Sequence, residues 1–175
     1  RPREVRPLGA AIRDVRVIIL ALVQFGFLVG SYAIGIFLPL MLREGKLTDI
    51  EIGFVSSGCY VVAVIGMILW ARHVDRGGSK VVNLALSCVL SACGFLGAIL
   101  FSGNFWISVA AMAVAITGIN GARAIFWTIP PRFPPGMAAA DGLAFINSIG
   151  TTGGFVGPYV MGWLTDETGS FSAGL

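Results

Sequence analysis

Residues 17–42 read VIILALVQFGFLVGSYAIGIFLPLML, 26 consecutive positions without a charge. About 20 apolar residues suffice to cross the roughly 30 Å hydrocarbon layer of a bilayer as a helix. A helix apolar on every side has no face to offer water. This stretch therefore sets the solvent as lipid, and the rest of the chain agrees. Of 175 residues, 56% are apolar and only 12% charged, and the mean hydropathy is +0.86. A soluble domain carries about 25% charged residues. Working outward, four further apolar runs follow at 52–71, 81–101, 105–129 and 143–164; the fourth of the five holds one charge, Arg123. The expected fold is all-α, a polytopic membrane helix bundle over residues 17–175, preceded by a basic segment at 1–16.

The composition also excludes several classes. The first run is too long for a signal peptide, and 16 mostly polar residues precede it. Cys59, Cys88 and Cys93 lie inside the second and third runs without the spacing of metal ligands or a disulfide framework. They read as small packing residues, and no metal or cofactor is expected. The net charge of +3 resides at the edges of the runs and implies no nucleic-acid partner. An enzyme needs convergent acids, bases or metal ligands, whereas the Asp, Glu and His residues here all sit outside or at the ends of the runs.

Orientation follows from Lys and Arg, which favour cytoplasmic loops. Arg1, Arg3, Arg6, Arg13, Arg16, Arg72, Arg76, Lys80 and Arg132 fall on one side, against Arg43 and Lys46 on the other. The first side, with the N-terminus, is expected to be cytoplasmic. On the other, Thr48 and Glu51 have the spacing of a capping box opening the second helix.

The sequence also repeats. Shifted by 91 residues, GSYAIGIFLP (30–39) falls on GARAIFWTIP (121–130), and 11 of 50 positions match between 30–79 and 121–170. The shift carries the first run onto the fourth and the second onto the fifth. Three runs separate the copies, so they enter the membrane in opposite directions. Such inverted repeats mark secondary transporters, with the substrate bound where the repeats meet. The third run would have its counterpart from about residue 172, so the chain reads as a fragment ending just inside a sixth span.

Within the fifth run, NSIGTTGGFVGPYVMG (147–162) holds five glycines and a proline. Gly costs about 1 kcal/mol in a helix relative to Ala, and Pro about 3. In lipid, association relies on close packing of small residues. Gly150, Gly153, Gly154 and Gly157 are spaced to form a smooth face for a neighbouring helix, either in static packing or in a bundle that rocks.

The segments GSYAIGIFLPLMLR, WARHVDRGGSK, IFWTIPPRFPP and INSIGTTGGFVGPY together resemble the C-terminal half of the major facilitator superfamily, helices seven to eleven. Within it they are similar to the anion:cation symporter family. The resemblance implies a carrier of small organic anions such as tartrate, phthalate or sugar acids. It implies proton-coupled symport by alternating access in a bacterial inner membrane, and a requirement for the missing N-terminal six-helix half. It makes residues 1–16 the end of the central cytoplasmic loop. Arg123 and Asp141 depart from the family pattern.

Candidate substrate-binding residues follow. Asn120, Arg123 and Trp127 share one helix face. Arg123 could clasp a carboxylate, or snorkel to an interface about 9 Å away at 1.5 Å per residue. Trp127 and Asn147 line the central cavity by the resemblance; an interfacial Trp and an interhelical amide are the alternatives. Gln24 and Tyr32 can face the same cavity, or serve as polar contacts between helices. Ser56, Ser57 and Tyr60 are weaker candidates. The co-transported proton is expected to use an acid in the other half. A non-transporting receptor, or a uniporter or exchanger on the same fold, is the rival reading.

Overall fold

The computed structural model describes residues 14–129 and 137–168. They form five helices: α1 (Val15–Glu44), α2 (Asp49–Asp75), α3 (Lys80–Leu100), α4 (Phe105–Phe126) and α5 (Met137–Thr168). The expected basic segment, the fourth loop and the start of a sixth span fall largely outside the described residues. Each helix overlaps one apolar run, and most extend past it because polar residues cap the ends. Asp14 accepts the Arg16 N–H at 2.9 Å to open α1. At α2 the capping box forms: Glu51 N–H donates to Thr48 Oγ1 at 3.4 Å and Thr48 N–H to Glu51 Oε2 at 2.8 Å. Asn104 opens α4 by accepting the Ile107 N–H. Gly77, at φ 120°, takes the left-handed conformation that turns α2 into α3.

The helices run alternately up and down. At one end Ser108 of α4 donates to the Ala98 carbonyl of α3 at 2.8 Å and to Met41 Sδ of α1 at 3.5 Å. At the other, Trp70 Nε1 of α2 donates to Asn83 Oδ1 of α3 at 3.2 Å, and Lys80 Nζ reaches the Thr128 carbonyl beyond α4. α4 is the central helix, with eleven buried residues and packing against α1, α2 and α3. One core cluster joins Leu38 and Leu42 of α1, Cys59 and Ala63 of α2, Ala98 of α3, Met112 and Ile116 of α4 and Met161 of α5. A second, toward the start of α1, joins Val17, Ala21, Phe27, Ala122, Phe126 and Ile146.

The tightest contacts are made at glycines. On α4, a Cβ at Gly118 would lie 2.5 Å from Ser91 N and 2.8 Å from Ser87 O of α3. On α5, Ile146, Gly150, Gly153, Gly157 and Met161 form one buried stripe at helical spacing. Gly150 meets Gln24, Gly153 meets the Phe25 carbonyl, and Gly157 meets Val29. The expected small-residue face thus exists, and its partner is α1. Pro158 lies within α5 and Pro39 within α1.

This packing bears the mark of the repeat. Numbering rises together along α1 and α5, from Val17 beside Gly142 to Val29 beside Gly157, so the two are parallel. α2 packs on α4 and, by the alternation of the ends, is parallel to it. The 91-residue shift sends α1 to α4 and α2 to α5, exchanging these two pairs. Only α3, which packs on α4, lacks a described counterpart on α1.

Four helices, α1 to α4, are long and apolar enough to cross a membrane. α5 has the length, at 32 residues, but Asn147, Ser148, Thr151, Thr152 and its glycines lower its apolarity. The fifth expected span is thus a helix of sufficient length without the hydropathy of the other four. Large apolar side chains cover the outside: Phe54, Leu100 and Phe155 are each about three-quarters exposed. An apolar surface this extensive is suited to lipid. Cys88 and Cys93 belong to it, whereas Cys59 is buried.

Candidate functional site

Four polar residues of the spanning helices come together where α1, α2 and α4 meet. A cavity of about 210 Å³ there is lined by Ser31 and Ile34 of α1, Tyr60 of α2, and Ile116, Ile119, Asn120 and Arg123 of α4. The α4 residues fall on one face because 116, 120 and 123 are separated by four and three positions. Ile34, Ile116 and Ile119 supply its apolar lining, and Ser31, Tyr60, Asn120 and Arg123 its polar lining. Arg123 is half-buried, and among the described residues no carboxylate pairs with it; the ion pair found is Arg43 with Asp49, at an exposed end. The Ser31 hydroxyl oxygen is buried without a hydrogen-bond partner. The site offers a cation, an amide and a phenol, and behind its α1 wall the Ser31 hydroxyl, which reaches the cavity on rotation about χ1.

Two larger cavities have other chemistry. One, of about 330 Å³, lies between α1, α3 and α5 and is lined by apolar groups such as Phe25, Val29, Phe95 and Val160. The other, of about 360 Å³, lies at the opposite end from Lys80, beside Met41, Glu44 and Ser102. Neither brings a cation to its walls.

Of the residues expected to bind substrate, Arg123 borders the polar cavity, as do Asn120 and the weaker candidate Tyr60. The rest lie elsewhere. Gln24 is only 3% exposed, pressed against Gly150, with its Oε1 unpartnered. It faces α5, as an interhelical contact does, and not this cavity. Tyr32, the next residue along α1 and about 100° around it from Ser31, has its ring over Gly154. Asn147 is on the exposed face of α5, its carbonyl accepting the Thr151 hydroxyl at 2.8 Å. Residues 147, 151 and 154 share a helix face, so Tyr32 and Asn147 border one α1–α5 surface. Trp127 caps the C-terminal end of α4 and packs edge-on against Phe126, with ring centroids 5.5 Å apart. Ser31 was not singled out by sequence, since one serine in an apolar run carries no periodic signal.

The family model described as Major Facilitator Superfamily matches residues 20–174. Two proteins of Agrobacterium vitis named for tartrate transport are 43% and 42% identical, each over 95% of this chain. A protein of Acinetobacter baumannii named as a quinolone resistance transporter is 37% identical over 99% of it. The chain covers 37%, 38% and 40% of these relatives' lengths, about two fifths of each.

Proposed function

The chain belongs to the Major Facilitator Superfamily, and on that premise we propose that it forms half of a secondary carrier for a small organic anion. It is a multi-pass membrane protein. The observation that carries the reading is Arg123, a half-buried guanidinium unpaired among the described residues and set on a cavity wall in a spanning helix. Arg123 lies in the last turn of α4, where a half-buried guanidinium is open to a carboxylate from a substrate, which it matches in bidentate geometry. The relatives named for tartrate transport support a hydroxylated diacid as the substrate to try first. The relative named for quinolone resistance favours a second reading, the passage of a larger drug. The relatives named for tartrate transport are the more similar, 43% and 42% identical against 37%, and this supports the smaller substrate.

Uptake of an anion into a negative-inside cell runs against about 2.3 kcal/mol per charge per 100 mV. A co-transported cation, most simply a proton, would offset that. The described acids Asp14, Glu44, Asp49, Glu51, Asp75, Asp141, Asp166 and Glu167 all lie at or near helix ends. The coupling acid is therefore assigned to the other half of the carrier, and alternating access to the two halves moving about the site between them. The intact carrier, reconstituted in liposomes with a pH dye inside, tests this. A tartrate gradient should drive proton entry, and the Asp75→Asn, Asp141→Asn and Asp166→Asn variants should keep it. Binding without flux would indicate a receptor. Normal tartrate exchange without proton movement in one variant would put the coupling acid in this chain.

A further inference from the structure

Hydroxyls in these helices usually find a partner one turn back. Ser57 donates to the Gly53 carbonyl, Ser87 to Asn83, Thr117 to Ala113 and Thr151 to Asn147, at 2.7–2.9 Å. This closure quiets a polar group inside an apolar span. Among the described residues, Ser31 and Ser56 are the two whose Oγ is both buried and unpartnered. Of these two, Ser31 lines the polar cavity, on the α1 wall, with Arg123 and Asn120 on α4 and Tyr60 on α2.

A buried hydroxyl without a partner is a cost that a ligand can remove. The chemistry that removes it here is constrained. Arg123 supplies donors only and takes the anionic group. The Ser31 hydroxyl both donates and accepts, so it suits a group that does the same. Asn120 also offers a donor and an acceptor, and the Tyr60 phenol can do either. Three such groups around one cation describe a carboxylate whose carbon chain also carries hydroxyls. The isoleucine lining accommodates the carbon skeleton.

We infer that Ser31 is a specificity-determining residue: it hydrogen-bonds a substrate hydroxyl on the chain that bears the carboxylate held by Arg123, and so selects hydroxy acids over their deoxy counterparts. The inference rests on the anion-carrier reading above and goes beyond it, since that reading requires a carboxylate but no hydroxyl. A site that pairs its buried polar groups with a substrate hydroxyl rejects the analogue lacking it far more strongly than an apolar pocket discriminates by size.

The test is competition against labelled tartrate uptake by the intact carrier, using succinate, malate and tartrate. These four-carbon diacids bear no, one and two hydroxyls. The unaltered carrier should prefer them in rising order of hydroxyl number. Ser31→Ala should reduce the advantage of the hydroxy acids over succinate by about tenfold, the scale of one neutral hydrogen bond, and leave the inhibition constant of succinate unchanged. Ser31→Thr, which restores a hydroxyl, should recover much of the preference. Ser87→Ala, which removes a hydroxyl already bonded within its own helix, should change nothing. Equal weakening of all three acids by Ser31→Ala would assign Ser31 to packing and overturn the inference, as would an unchanged ratio. If none of the acids competes in the unaltered carrier while a neutral or cationic compound is transported, the anion-carrier reading itself fails and takes this inference with it.

Discussion

At the scale of single residues, glycine decides how near two helices come. Gly118 of α4 and Gly35 of α1 are the same residue type in spanning helices, but their surroundings differ. A Cβ at Gly118 would press into the backbone of α3, whereas one at Gly35 would meet nothing within 4 Å. Gly118→Ala is expected to lower stability by about 1–3 kcal/mol through overpacking. Gly35→Ala is expected to raise it by up to about 1 kcal/mol through helix propensity. Thermal unfolding of the purified protein in detergent checks both, and a destabilised Gly35→Ala beside an unaffected Gly118→Ala would refute the packing described. The same distinction explains what could be read of the site. Arg123 and Asn120 stood out in sequence because three-residue spacing puts two polar groups on one face of an apolar helix. Ser31 did not, because its significance comes from α2 and α4 across the cavity. Gln24 was legible as polar, but the direction it faces depends on the space left by Gly150, 126 positions away in sequence.

At the scale of elements, apolar runs located every helix and missed the ends. α5 is the clearest case: read from residue 143, it begins at Met137, because MAAADG looks like loop by hydropathy while its alanines favour helix. Its glycines have one cause, since the stripe that would otherwise carry large side chains is given over to contact with α1, while Asn147, Ser148, Thr151 and Thr152 lower its apolarity on the exposed face. That contact fixes a direction. Gly142 lies beside Val17, with 3.7 Å between a Cβ built at 142 and Val17 Cγ2. The Val17 Cβ lies beyond 4 Å from that built Cβ, at the upper end of the about 3.5–4.5 Å that separates the Cβ atoms of a disulfide. In a background lacking Cys59, Cys88 and Cys93, Val17→Cys with Gly142→Cys should oxidise readily and lose reactivity toward maleimide. Val17→Cys with Trp163→Cys, at the far end of α5, should remain reduced. The reverse outcome would mean that α5 runs against α1 and not along it.

For the whole molecule, the inverted repeat was visible in sequence as 11 matches in 50 positions, and the packing gives it physical content. The parallel pairs α1–α5 and α2–α4 exchange under the same shift that aligns the sequences, and the polar cavity lies where α1 of one copy meets α4 of the other. The fold was therefore largely legible, because lipid leaves the backbone few options besides helices. Substrate choice was less so, because it depends on which polar groups the two copies turn toward each other. On the proposed reading, this meeting place holds an anion on Arg123. The most direct measurement is the uptake of labelled tartrate by liposomes containing the intact carrier or its Arg123→Gln and Arg123→Lys variants, with folding checked by size-exclusion profile. Loss of a charge-assisted hydrogen-bonded pair should weaken apparent affinity by about 10- to 100-fold in Arg123→Gln, with Arg123→Lys in between because it keeps the charge but not the planar fork. Unchanged tartrate affinity in a well-folded Arg123→Gln carrier would contradict the account.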